Sequence, residues 1–123
     1  MNDHEIENEI QAKGLTAPRV TAESIDAVIA SEHYFTGAQA LDGTPSECSL
    51  ASYEALGLLT FCVFVLRNSF TVTGESACAS PENFDAVLGR KIARQNAVNK
   101  VWMLEGYLLK QRLHEDAQKG DHQ

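Results

Sequence analysis

Arg90, Lys91, Arg94 and Lys100 form the densest run of cations in the chain, with no acid between Asp85 and Glu105. Gln95, Asn96 and Asn99 are interleaved among them. A guanidinium presents a planar fork of N–H donors that matches phosphate oxygens, and carboxamides read sugar hydroxyls or base edges. This spacing offers a pocket for a small phosphorylated ligand, with Arg90, Arg94, Asn96 and Asn99 as candidates. The same run also fits a solvated helix face. Phe84 and Trp102 flank it, and either ring can stack on a base. Trp102 reads better as core. Phe84 lies close to a helix N-terminus, where anions are favoured.

Groups for covalent or acid–base catalysis do not assemble in the sequence. His4, His33, His114 and His122 are scattered, and Glu75 and Glu105 are single carboxylates. No HxxxH, GxSxG or Gly-rich phosphate loop occurs. Cys48, Cys62 and Cys78 are odd in number and lack a CxxC, which points to free thiols rather than zinc or disulfides. The expectation is binding without turnover, with no catalytic residue, no metal and no cofactor.

The elements that must position these residues belong to one domain of 123 residues with the composition of an ordinary globular protein. The net charge of −7 argues against a long nucleic acid as partner. The longest apolar run, Leu56 to Leu66, falls short of a membrane span. The acidic N-terminus lacks a secretory pattern, so a cytoplasmic location is expected. Residues 1–20 read as a flexible arm broken by Gly14 and Pro18. Thr21 then caps a helix over about 22–31. His33 to Ala40 reads as a strand, and 41–52 as a Ser/Gly/Pro loop. Leu58–Arg67 and Phe70–Glu75 form a β-hairpin, with Asn68 suited to a positive φ in its turn. Ser80-Pro81-Glu82 signals a helix start, and the helix is predicted to run from Pro81 to about Glu115, with a frayed tail over 117–123. The fold class is therefore α+β: a small antiparallel sheet (hairpin about 58–75) packed on an N-terminal helix and a long C-terminal helix.

That last helix is apolar on two sides. Phe84, Leu88, Val98, Trp102, Leu109 and Leu113 share one face at helical spacing, and Ala93, Ala97, Val101, Leu104 and Leu108 share the opposite one. Little other apolar secondary structure is available to cover both. A homodimer, with helices packed against each other, follows as the expectation; a helix at the centre of a single-chain core is the alternative.

The blocks FTVTGESAC, SPENFD, GRKIARQNA and WMLEGYLL resemble a family of small phage and prophage proteins that includes the type-one Thoeris anti-defence proteins. The resemblance covers about Leu58 to Leu113, and more loosely the N-terminal helix and Glu32-His33-Tyr34-Phe35. It implies a sponge: a protein of the host bacterial cytoplasm that sequesters a cyclic ADP-ribose isomer made by a TIR enzyme, without cleaving it. It also implies relatives that trap the cyclic oligonucleotides of CBASS defence, in a hexamer built from dimers. Carried onto this chain, it implies Phe84 as the stacking ring, Arg94 and Asn96 at the pocket, and Arg112 near the helix end. Arg67 at the hairpin is a further phosphate candidate. A phage accessory protein that inhibits a host protein through its acidic arm is the competing reading.

Overall fold

The computed structural model describes residues 2–15, 17–43 and 47–120. The middle of the loop expected over 41–52 and the last three residues of the tail lie outside them. The fold is α+β, with an N-terminal helix, a three-stranded antiparallel sheet and a long C-terminal helix. The chain divides into two units, Ile29–Lys100 and Met1–Val28 with Val101–Gln123.

The sheet belongs to the first unit. Strand β1 (Ile29–Thr36) pairs with β2 (Leu59–Leu66), which pairs with β3 (Thr71–Ala77), in the order β1-β2-β3. The expected hairpin is β2–β3. Its turn is closed by the Ser69 amide donating to the Leu66 carbonyl at 2.9 Å and the Leu66 amide donating to the Phe70 carbonyl at 2.8 Å. Ser69, not Asn68, takes the left-handed conformation, at φ 71°. This is a three-residue loop in which the left-handed residue comes last. Asn68 stands one position earlier and accepts the Phe70 amide on Oδ1 at 3.0 Å, a side-chain turn of the kind asparagine favours.

Every second residue of β2 is buried, from Thr60 through Cys62 and Phe64 to Leu66. Facing this core is the first part of α5 (Ala86–Gly120), through Ala93 and Ala97. Glycine is required at position 74, because a Cβ there would overlap the Ala93 carbonyl oxygen and the Ala97 amide. Strand and helix thus touch backbone to backbone.

Three boundaries differ from the sequence reading. Strand β1 starts at Ile29 rather than His33, and helix α2 (Ala22–Val28) stops before it. Ile29 and Ser31 pair with Leu66 and Val65 across a register shift, so sheet pairing overrides the helical spacing of Ile25, Val28 and Ile29. The segment expected as strand end and loop contains helix α3 (Gly37–Asp42) and helix α4 (Leu50–Leu56). A reciprocal capping box of Thr36 and Gln39 starts α3, and the Ser49 hydroxyl caps α4. Ser80-Pro81-Glu82 opens only a 3-10 turn, Pro81–Asn83, and the Ser80 side chain caps nothing. Phe84 is extended (φ −67°, ψ 126°). Helix α5 begins after it, where the Asp85 carboxylate accepts the Leu88 amide at 3.0 Å.

In the second unit, helix α1 (Asp3–Ala12) starts with a capping box of Asn2 and Glu5. The indole N–H of Trp102 donates to Asp3 at 3.0 Å, and Arg19 holds both oxygens of Glu7 at 2.6 Å each. Thr21 caps α2 as expected, its hydroxyl accepting the Ser24 amide at 3.0 Å. Along α5, Val101 is fully buried, whereas Met103, Leu104, Tyr107, Leu108 and Leu113 are exposed, Met103 at 76%.

Candidate functional site

Two small cavities in the sheet-bearing unit share a wall. One, of about 130 Å³, is lined by Leu58, Ala77, Leu88 and Ile92 together with Ser76, Cys78, Asn83 and Asp85. The other, of about 140 Å³, is lined by Tyr34, Thr36, Gln39, Ala86 and Arg90. Thr60 and Phe84 line both. Antiparallel register brings these groups together, since Thr36 lies opposite Thr60 and Tyr34 opposite Cys62. The helix supplies the other side: Gly89 approaches so closely that a Cβ would stand 3.1 Å from the Thr60 hydroxyl.

The two cavities are chemically unlike. The first has an aliphatic wall of Leu58, Leu88 and Ile92 and a polar rim of Ser76, Asn83 and Asp85, with the Cys78 thiol donating to the Ser80 carbonyl at 3.1 Å. The second is more polar: Arg90, Thr36, Thr60, Gln39 and Tyr34 line it, while the ring of Phe35, next along β1, stacks on Phe61 at the opposite face of the sheet. The Arg90 side chain makes no hydrogen bond or ion pair among the described residues, so its fork of donors is available to an anion. The N-terminal amides of α5 are less available, because the Asp85 carboxylate already accepts one of them and complements the dipole.

Of the residues singled out in the sequence, the structure brings Phe84 and Arg90 together. Arg94, one turn further along, is engaged elsewhere. Its guanidinium binds Glu32 through Nη2 at 2.9 Å and Nε at 3.1 Å, and lies 5.6 Å from the centre of the Phe64 ring. Asn96 donates to the Glu75 carbonyl at 2.7 Å on the edge of β3. Asn99 accepts from Gln95 at 2.9 Å. Arg67 sits in the hairpin turn, and Arg112 is exposed on the part of α5 that belongs to the other unit.

A polar chain reaches the second cavity from behind. Tyr34, whose ring lines it, donates its hydroxyl to Glu32 at 2.9 Å, and Glu32 is the acceptor for Arg94. Arg94 holds the Glu32 carboxyl below the usual carboxylate range. Burial, with the bond to Glu32, pushes the Tyr34 phenol well above its ordinary value. Burial also raises the Cys62 thiol. Tyr34 therefore remains a neutral donor at physiological pH, and its proton is already committed to Glu32.

Tyr34, Thr36, Gln39 and Thr60 were not legible as site residues. Thr36-Gly-Ala-Gln39 does carry a capping-box pattern that would have located the turn after β1. Among the described residues, no group of three or more His, Cys, Asp or Glu is placed to hold a metal ion. No helix among them is long and apolar enough to cross a membrane. The arrangement can hold a flat ring against Phe84 and an anion at Arg90.

Residues 20–113, about three-quarters of the chain, match the model of the phage protein (N4 Gp49/phage Sf6 gene 66) family. No curated protein and no solved structure matches.

Proposed function

The chain belongs to this phage protein family, and from that premise we propose that it binds and sequesters a cyclic nucleotide immune signal without degrading it. The signal class that the sequence resemblance implies is a cyclic ADP-ribose isomer of Thoeris defence, with CBASS cyclic oligonucleotides as a further class. The observation that carries the reading is the pairing of Phe84 with an uncommitted Arg90 beside two threonine hydroxyls and Gln39. Ring stacking and a cationic fork are what a nucleotide needs from a binder.

Arg90 takes the role of anion contact in this reading. Arg94 supports the site through Glu32 and Tyr34, while Phe84 supplies the stacking face. The protein is neither an enzyme nor dependent on a cofactor, and acts in the bacterial cytoplasm during infection. The exposed apolar residues of α5, Met103 and Tyr107 among them, are covered by a second copy in a homodimer, from which a hexamer can be built. Such a row, left in water, is unusual for a monomer.

The test is capture and release. The purified protein is incubated with the product of a Thoeris TIR enzyme, freed of unbound ligand by filtration, and heated. Intact cyclic ADP-ribose isomer in the release supports sequestration, and Arg90→Ala and Phe84→Ala should each weaken capture. A converted product would make the protein an enzyme. Signal left wholly in the filtrate refutes the TIR-signal reading. Light scattering tests the dimer, with Met103→Lys/Tyr107→Lys expected to return a monomer mass.

A further inference from the structure

Resting on the sequestration reading, we infer that the two cavities are halves of one bipartite site. The first cavity, the aliphatic half by virtue of its Leu58, Leu88 and Ile92 wall, takes the ligand's heterocycle, with Asn83 and Asp85 at the rim to meet ring nitrogens. The Arg90 half takes the ligand's anionic group, and the Thr60 hydroxyl contacts the ligand between them. Size is the first argument. A dry apolar cavity of about 150 Å³ accepts a single benzene-sized ring, whereas sites for whole small molecules begin near 300 Å³. At about 130 and 140 Å³ each cavity has room for one ring or one phosphate group and not for a nucleotide. Because both are bounded by Thr60 and Phe84, a ligand that fills one reaches the other over the same two side chains.

Thr60 is the second, independent argument. It is only 3% exposed, yet its hydroxyl makes no hydrogen bond among the described residues. No buried side-chain oxygen or nitrogen among the described residues lacks a partner, so this hydroxyl is not sealed in; it opens on the two cavities it lines. Gly89 contributes by lacking a side chain: a Cβ there would stand 3.1 Å from the Thr60 oxygen, tight against it. Apolar exposure is the third. Leu88, 53% exposed, and Ile92, also exposed, line the aliphatic half. Leucine and isoleucine beside an open cavity gain their burial when a ring enters.

Four variants divide the possibilities, each measured by equilibrium dialysis against the purified product of a Thoeris TIR enzyme and by thermal melting without ligand. Leu88→Trp fills the aliphatic half from its exposed edge and should lower affinity about tenfold or more, a loss equal to one good ring contact. Thr60→Val removes the hydroxyl and keeps the shape. It should lower affinity about tenfold while the melting temperature of the free protein stays close to that of the wild type, because the hydroxyl holds no partner within the fold. Thr60→Ser should retain binding. Arg90→Ala should weaken binding and flatten its salt dependence. Normal capture by both Leu88→Trp and Thr60→Val would overturn the bipartite site and leave sequestration standing. Absence of capture by the unaltered protein would remove both.

Discussion

Replacing Arg94 separates two roles that its position on α5 allows. As a direct ligand contact, its loss would cost affinity and leave stability alone. The structure makes the opposite demand, since Arg94 binds Glu32 through two nitrogens and lies over Phe64. The pair is about one-third exposed, at 36% and 34% for the two side chains, so its coupling stays within the ~0.2–1 kcal/mol measured for solvent-screened pairs. The cation–π contact contributes about 0.5–1 kcal/mol more. Arg94→Ala should therefore destabilise by about 1–2 kcal/mol, which for a chain of this length lowers the melting temperature by ~4–8 °C. The pH dependence has a definite sign. Glu32 is held below its ordinary value in the folded state, so its contribution is present above the unfolded glutamate pKa of about 4.3 and is lost as pH falls through the lower folded one. Urea titrations of wild type and Arg94→Ala should differ most near pH 7 and less in acid, where only the contact with Phe64 remains. A double-mutant cycle with Glu32→Gln should return a coupling of about 0.5–1 kcal/mol. Zero coupling, or a stability gap that does not narrow as pH falls, would refute this assignment of Arg94 to the fold.

Gly74→Ala should be far more damaging than its size suggests. The new methyl meets the backbone of α5 at Ala93 and Ala97, and overpacking of this kind costs about 1–3 kcal/mol or more, visible as a drop in the urea midpoint. Asp85→Ala removes the cap of α5 and should cost about 0.5–2 kcal/mol in the same titration, with Asp85→Asn recovering most of it. Glu7 is pushed down to about 2 by its hydrogen bonds with Arg19 and Gln11. Carboxyl NMR should find it still ionised at pH 3, and Arg19→Ala should return it toward the ordinary glutamate range. Its contribution to stability is then present above the unfolded value and lost as pH falls toward 2.

What could be read in advance depended on how local the signal was. The β2–β3 hairpin was legible because a Phe- and Val-rich run over Leu58–Arg67, a short polar turn and an alternating run over Phe70–Glu75 lie within a single stretch. The turn's detail was not, since Asn68 and Ser69 both suit it and only the bond geometry separates them. Helix α5 was legible in extent, but its start was misplaced by five residues. Ser80-Pro81-Glu82 satisfies the composition of a helix start and spends it on one 3-10 turn, while Asp85 does the capping. Strand β1 was displaced because its first residues carry helical spacing, which only pairing with distant β2 overrules. For the site, Phe84 and Arg90 stood out by residue type. Thr60 did not, because a threonine inside a strand acquires meaning only from the cavities that open on it. Arg94 stood out as strongly as Arg90, and nothing local in the sequence says that Glu32, far back in the chain, has already claimed it.

The backbone contact of Gly74 with Ala93 and Ala97 carries a consequence for how such a protein can diverge. The joint contains no side chain long enough to yield: any Cβ at position 74 meets helix backbone, and Ala93 and Ala97 are fully buried against the sheet. Strand edge and helix can drift in sequence only if these three sites stay small together, whereas the cavity walls at Leu88 and Ile92, which face open space, are free to vary in size and polarity. Relatives with altered ligand preference should therefore differ first at those outer walls, around a joint that does not change.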